Sequence, residues 1–321
     1  MKAQPAATQS SIPVLITWDV DPDLWMPLDK RQWALNTAMD LCHQQGIHAT
    51  FFFTARPAAL YDGEFEKLRV QGHEIGCHGL THGDEENYDQ MPEAMQRTYI
   101  QEATETLQDL LNSPVRAFRS PRVKTSAHTL RLLADNGYWA DSSVCSQRMD
   151  LASSNLINVG WIFAPRRPYH PHRANAFRAG DLPIWEIPVS AMVVPFISSA
   201  LGVLGLTPIK NLFRLLYAES RRTGKPIVYL AHPSEFVETG NEGLRGKLQA
   251  ALHREYFTPA YIRTHGLRLR KLLHRANART KLQDTQKLFA YMASFPDITF
   301  QSVSEYVHNY LQDSQSLGRR I

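Results

Sequence analysis

The sequence predicts an α/β fold built on a parallel sheet, either open or closed into a barrel. Three observations predict it. Short apolar, β-branched runs alternate with segments of helical period along most of the chain. The runs are apolar on both faces, as strands covered by helices must be. The 321 residues are 43% hydrophobic and 21% charged, enough for a sizeable core and far from the composition of a disordered chain.

The elements follow in order. Pro13–Thr17 is a continuous apolar run ending before Asp19, which suits a fully buried strand. Lys30–Gln45 sets Trp33, Ala34, Thr37, Ala38 and Leu41 on one helical face, and Gly46 stops it. Ala49–Thr54 is the second strand, Phe65–Gln71 a short helix and His73–Cys77 the third strand. Met91–Leu111 is the clearest helix, with Pro92 in its first turn and Met95, Tyr99, Ala103, Thr106 and Leu110 at helical spacing. Val115–Arg119, Tyr138–Asp141, Leu182–Val189, Ile227–Ala231 and Ile298–Gln301 supply the later strands. Ser126–Asn136, Ile209–Arg222, Thr280–Phe295 and Ser302–Leu311 supply the later helices.

Two stretches break this rhythm. Residues 187–209 carry no charge and could span a bilayer by length, but three prolines and two glycines interrupt them. They read as a buried strand with its loop, or as an apolar lip that touches lipid. Residues 263–281 carry seven Lys or Arg and no acid, with Leu267, Leu269, Leu272 and Leu273 interleaved. That is a basic amphipathic helix, either a solvated face or a contact for anionic headgroups or a phosphorylated substrate.

The charge balance, 35 − 31 = +4, is too small to indicate nucleic-acid binding, and the acids spread through Glu64–Glu105 argue against it. Three cysteines, Cys42, Cys77 and Cys145, exclude a disulfide scaffold and fit a cytoplasmic address. The first residues lack the apolar stretch of a secretory signal and read as a mobile tail over 1–12. One barrel domain over 13–313 is expected, with a basic helical insertion at 238–281 and a tail at 314–321.

In parallel α/β folds, active-site groups collect at the carboxyl ends of the strands. The first strand ends in Thr17-Trp18-Asp19-Val20-Asp21, two carboxylates one residue apart. The third ends in Cys77-His78-Gly79-Leu80-Thr81-His82. With 13 His in the chain, one His-x-x-x-His pair is unremarkable by itself, but its position beside two aspartates matters. Two imidazoles and one carboxylate oxygen form a catalytic zinc set that leaves a position for water. His78, His82 and one of the two aspartates supply it. Arg119, ending the fourth strand before Pro121, can hold a carboxylate ionised. His232, ending a later strand, suits general acid duty. Cys77 points to the other side of its strand, His73 begins that strand, and Trp139, Trp161, Trp185, His170 and His172 read as packing or loop residues.

Taken together, Asp-x-Asp at 19–21, His-x-x-x-His at 78–82, Arg-x-Pro at 119–121 and Leu-x-His at 230–232 resemble the polysaccharide deacetylases, the NodB-homology enzymes of carbohydrate esterase family 4. Ala-Thr-Phe-Phe-Phe from Ala49, Gly-His-Glu-Ile-Gly from Gly72 and Ala-His-Pro-Ser-Glu-Phe from Ala231 are similar as well. The resemblance implies a distorted (β/α) barrel of about seven parallel strands. It implies Asp19 as general base, Asp21, His78 and His82 as metal ligands, Arg119 holding Asp19, and His232 as general acid. It further implies Asp141 as the carboxylate that tunes the acid, and a backbone N–H at Pro121-Arg122 as an oxyanion donor. The cofactor would be a divalent metal, Zn²⁺ first, with Co²⁺, Ni²⁺ or Mn²⁺ as alternatives. Departures are visible too: Val20 separates aspartates that are usually adjacent, no glycine follows them, and Arg122 replaces an aromatic residue.

The expected function is metal-dependent removal of an N-acetyl group from an amino sugar. The two unusual stretches favour a lipid- or nucleotide-linked precursor, handled by a cytoplasmic enzyme peripheral to the membrane through 187–209 and 263–281. Deformylation or opening of a cyclic ureide would use the same chemistry, and an inactive carbohydrate- or lipid-binding barrel is the alternative of another class.

Overall fold

The computed structural model describes residues 11–148, 159–238, 258 and 277–312. The first apolar run extends over Ile12–Val20 as β1, every residue of it buried. Helix α1 (Leu28–His43) returns the chain to β2 (Thr50–Phe53). Two short helices, α2 (Ala55–Ala58) and α3 (Asp62–Val70), lead to β3 (Glu74–Cys77), and α4 (Glu93–Leu111) leads to β4 (Ala117–Phe118). Then follow α5 (Ala127–Asp135), β5 (Ala140–Asp141), α6 (Val159–Phe163), the hairpin of β6 (Pro171–His172) and β7 (Asn175–Ala179), and β8 (Trp185–Glu186). A second hairpin, β9 (Ala191–Met192) and β10 (Val194–Pro195), precedes α7 (Ser198–Leu204) and α8 (Leu206–Thr223). The chain closes with β11 (Ile227–Ala231), α9 (Ala278–Ala293), β12 (Ile298–Phe300) and α10 (Val303–Tyr306).

Seven strands pair in the order β11-β1-β2-β3-β4-β5-β8, all parallel. Strand β12 shares an edge of β1 with β2, pairing Ile12–Val14 while β2 pairs Thr17–Val20. Between β8 and β11 the continuous ladder is replaced by isolated bonds, among them a pair at Ser190 and a bridge from Ile197 to Leu230. The Ser190 N–H donates to the Val228 carbonyl at 3.1 Å, and the Val228 N–H donates to Ser190 Oγ at 3.0 Å. The result is the expected distorted barrel of seven parallel strands.

Alternation along β1 divides the molecule into two apolar layers. Val14, Ile16, Trp18 and Val20 face the helices, with Phe51, Phe53, Leu35 and Met39. Leu15 belongs to the inner layer with Phe52, Ala117, Ala140 and Val228. Thr17, Asp19 and Asp21 continue its parity, so the carboxylates project to the barrel mouth.

Three expectations shift in detail. The buried face of α1 is Ala34, Leu35, Ala38, Met39, Leu41 and Cys42, whereas Trp33 is 48% exposed. The buried face of α4 is turned by about one residue, to Gln96, Ile100, Ala103, Thr104, Leu107 and Leu111. Polar partners explain the turn. The Gln96 amide donates to the carbonyls of Tyr88 (3.0 Å) and Met91 (2.8 Å), and Thr104 lies 2.8 Å from the Tyr138 hydroxyl. The strand expected over Leu182–Val189 is reduced to Trp185–Glu186, because Pro183 and Pro188 cannot donate to a ladder.

Residues 187–209 are largely buried through Ile187, Val189, Phe196, Ile197, Leu201 and Ile209, with Val193 and Leu204 exposed. No helix among the described residues is long and apolar enough to cross a membrane. Most of the basic stretch 263–281 and of the expected insertion lies outside the described residues.

One buried pair links neighbouring strands. Asp141 and Glu186 face each other across β5 and β8, both fully buried, and neither Asp141 Oδ2 nor Glu186 Oε2 receives an N–H or hydroxyl. Ser143 Oγ donates to Asp141 Oδ1 at 2.6 Å, and the Val144 N–H donates to Glu186 Oε1 at 3.0 Å. Burial raises both carboxyls, Asp141 to about 6 and Glu186 well above its ordinary value, so the pair keeps a proton beyond the usual carboxylate range. A raised folded-state value means that stability falls as pH rises from the unfolded value near 4 to about 6. Denaturant unfolding of wild type and Asp141→Asn at pH 4 and pH 7 is expected to show wild type losing stability relative to the variant as pH rises. A constant difference would show that no proton is held there.

Candidate metal centre

The two carboxylates at the end of β1 meet the two histidines that follow β3. Asp21 Oδ1 lies 3.3 Å from His78 Nε2 and 3.4 Å from His82 Nε2. One ligand atom from each of these three residues lies within 4.8 Å of the others. Asp21 Oδ1 is buried and accepts no hydrogen bond. A buried carboxylate oxygen in that state, facing two imidazole nitrogens, fits a divalent cation with N, N, O ligands.

Each ligand is held from behind. The His78 Nδ1–H donates to the Arg119 carbonyl at 2.8 Å, which fixes the tautomer and turns the Nε2 lone pair towards Asp21. His82 sits at φ 58, a left-handed conformation unusual for a residue other than glycine. Glu86, fully buried, keeps it there by accepting from the N–H groups of Leu80, Thr81 and His82, each at 2.7 Å. From the other side Arg122 donates to the carbonyls of His82 at 3.0 Å and Gly83 at 3.2 Å. Gly79, at φ +75, is where these parts crowd: a Cβ there would lie 2.4 Å from Glu86 Oε1 and 2.8 Å from Pro121 Cγ.

Charge in the cluster follows from burial and neighbours. Burial alone would raise the Asp21 carboxyl, but the imidazoles of His82, His78 and His232 outweigh it and hold the group far below the carboxylate range. Burial lowers His82 to about 4, keeping it neutral as a ligand must be. Burial would also lower His78, yet Asp19 and Asp21 raise it instead.

Asp19 and His232 flank the triad. Asp19 is 4% exposed, and its Oδ1 receives Arg119 Nη1 at 2.9 Å. Arg119 is itself fully buried, donating also to Thr17 Oγ1 (2.8 Å), the Ser142 carbonyl (2.8 Å) and Ser142 Oγ (2.7 Å), with Phe52 beneath it at 4.5 Å. Asp19 Oδ2 is left towards the cluster, 3.9 Å from His78 Nε2 and 4.0 Å from His232 Nε2. Burial opposes protonation of His232, but its hydrogen bond with Glu235, then Asp21 and Asp19, lift it to about 9.

These residues open on a cavity of about 210 Å³, lined by Asp19, Asp21, His78, His82 and His232 with Arg122, Val123, Cys145, Arg148, Val189, Ile197, Ser199 and Leu230. The space exceeds several water volumes at about 30 Å³ each, enough for an acylamino group.

The structure therefore brings together Asp19, Asp21, His78, His82, Arg119 and His232. Arg122 lines the cavity in a left-handed turn at φ 57, its side chain clamping the His82 loop, whereas Pro121 is buried and does not line it. Asp141 does not join them as expected. Its partners are Glu186 and Ser143, and the carboxylates within 4.0 Å of His232 are Asp19, Asp21 and Glu235. Cys77, among the helix-facing residues, is pushed up to about 12 by burial and lies outside the cluster. Trp161 is buried, Trp185 packs tilted against His170 with ring centroids 3.8 Å apart, and neither lines the cavity.

Sequence reasoning missed Glu86 and Glu235. Glu86 is one of three consecutive acids, with nothing local to single it out, whereas Glu235 stands within the Ala-His-Pro-Ser-Glu-Phe phrase already noted. Glu86→Gln is expected to weaken metal binding about 10–100-fold in a chelator-competition titration. Unchanged affinity would show that Arg122 alone holds the His82 loop.

The family model for polysaccharide deacetylase matches residues 6–140, which include Asp19, Asp21, His78, His82 and Arg119. A search of curated proteins found no match. Among solved structures, a Mycobacterium smegmatis protein assigned to the polysaccharide deacetylases shares 16% identity over 98% of this chain and 96% of its own, with TM-score 0.61. Puue allantoinase shares 15% identity over 94% and 92%, with TM-score 0.58. A Pseudomonas aeruginosa PAO1 protein, also assigned to the polysaccharide deacetylases, shares 14% over 94% and 93%, with TM-score 0.59. At these identities the likeness is one of fold. Residues 6–140 are thus similar to the polysaccharide deacetylase family, and the barrel that carries them has the fold of these solved structures.

Proposed function

We propose that the protein is a metal-dependent hydrolase that removes the N-acetyl group from an amino sugar. The observation that carries the reading is the unpaired Asp21 Oδ1 between two imidazoles, with Asp19 and His232 within 4.0 Å of the same cluster.

Asp21, His78 and His82 would hold the cation, Zn²⁺ by the donor set, with Co²⁺, Ni²⁺ or Mn²⁺ as substitutes. When bound, it supplies Lewis acidity to the acyl carbonyl and to the attacking water. The rest is done by the chain. Arg119 occupies Asp19 Oδ1 and leaves Oδ2 to take the proton of the water. An amine leaves poorly as an anion, so His232 delivers a proton to nitrogen as the C–N bond breaks. The Arg122 backbone N–H, in the turn after Arg119, is the donor we assign to the developing oxyanion.

The apolar wall of Val123, Val189, Ile197 and Leu230 beside this polar cluster suits an acyl group and the body of a sugar. The lipid- or nucleotide-linked substrate, and a cytoplasmic working place at the membrane periphery, belong to the same proposal. Exposed Val193 and Leu204 on 187–209 support it.

Metal-loaded enzyme is expected to release acetate from N-acetylated lipid- or nucleotide-linked sugars in preference to chitin oligomers. Faster release of formate from N-formyl sugars, or faster opening of a cyclic ureide, would overturn the N-acetyl assignment while leaving the centre in place. His78→Ala is expected to abolish both activity and stoichiometric metal. Asp19→Asn should retain the metal and lose about 10²–10⁴-fold in kcat.

A further inference from the structure

His232 is approached from two sides. Its Nε2 faces the cluster, 4.0 Å from Asp19 Oδ2 and 3.9 Å from Asp21 Oδ2. Its Nδ1 lies 3.5 Å from Glu235 Oε1. That carboxylate is not left to the turn that carries it. Ser198 Oγ, at the start of α7, donates to Oε1 at 2.7 Å. Lys281 Nζ, from the first turn of α9, lies 3.2 Å from Oε2. Three segments remote in sequence thus converge on one carboxylate behind one imidazole.

We infer that Glu235 is the positioning residue of His232, its own carboxylate fixed by Ser198 and Lys281. The inference rests on the proposed reading, in which His232 protonates the leaving nitrogen. The family resemblance places this duty at Asp141, but here Asp141 is engaged with Glu186 and Ser143. Glu235 supplies it from another strand end.

The proton accounting is simple. In the imidazolium, Nδ1–H points to Glu235 and Nε2–H points to the cavity. As the C–N bond breaks, its electron pair stays on nitrogen and the Nε2 proton passes to it. The neutral ring that remains is the Nδ1–H tautomer, still held by Glu235, and the carboxylate takes no proton. Lys281 keeps a counter-charge on the carboxylate, so the site does not gather unbalanced negative charge behind the ring.

The test compares two acetyl donors that differ in their leaving group. An N-acetyl amino sugar needs a proton on its leaving nitrogen, whereas 4-nitrophenyl acetate releases a phenolate that does not. Glu235→Gln, which keeps the size of the side chain, is expected to lower kcat on the amide by roughly 10–100-fold at unchanged KM, part of what a general acid contributes. Ester hydrolysis should stay within about threefold. Ser198→Ala should show the same selectivity with a smaller loss. Equal losses on both substrates, or an unimpaired amide rate, would overturn the inference while the deacetylase reading stands. Should wild type hydrolyse neither amide nor ester, the deacetylase reading fails by itself. The geometric part is then decided by ¹⁵N-histidine NMR of the wild-type protein: Nδ1–H for neutral His232, lost in Glu235→Gln, supports it, and Nε2–H overturns it.

Discussion

A guanidinium with no exposed surface organises this barrel mouth. Arg119 follows the shortest kind of strand, β4, yet it reaches Thr17 and Asp19 on β1 and Ser142 after β5, and rests on Phe52 of β2. Its backbone carbonyl also fixes the ring of His78. A buried cation is tolerated only when its hydrogen bonds are satisfied, and breaking such a pair costs on the order of 3–5 kcal/mol. The cost locks four strands into one arrangement and leaves a single oxygen of Asp19 turned towards the cluster. The proposed base, one candidate metal ligand and the register of the barrel therefore depend on the same residue.

Around that centre, a second rule recurs: functional side chains are held by carboxylates buried behind them. Glu86 gathers three backbone N–H groups to hold His82 in a left-handed conformation that it would not choose alone. Glu235 stands behind His232, and the Asp141–Glu186 pair lies behind Arg119, close enough for the guanidinium to act on both carboxyls. Each is a local cost in desolvation, offset by hydrogen bonds already in place before any substrate arrives.

Much of the site was legible in the sequence because it is written at strand ends. Apolar runs locate the strands, and Asp19, Asp21, His78, Arg119 and His232 each stand within a few residues of where a run stops. Less legible were features that depend on partners from elsewhere. The turn of the α4 face follows from hydrogen bonds of Gln96 and Thr104, which no hydrophobic pattern records. Trp33 matched the period of α1 but lies at its solvent edge, since Leu35, Met39 and Cys42 set the buried stripe. Asp141 occupies a familiar place in the order of motifs, yet its neighbour across the strand is a second carboxylate, and register alone decides that. The clamp that Arg122 makes on the His82 loop could not be read either, because it joins segments about forty residues apart.

The most direct test of the whole account is anomalous diffraction from crystals grown with Zn²⁺, recorded on either side of the metal's absorption edge. The account predicts one strong peak within bonding distance of a carboxylate oxygen of Asp21 and the Nε2 atoms of His78 and His82, at about 2.0–2.2 Å. A peak held by other residues, or none at full occupancy of the crystal by metal, would contradict it.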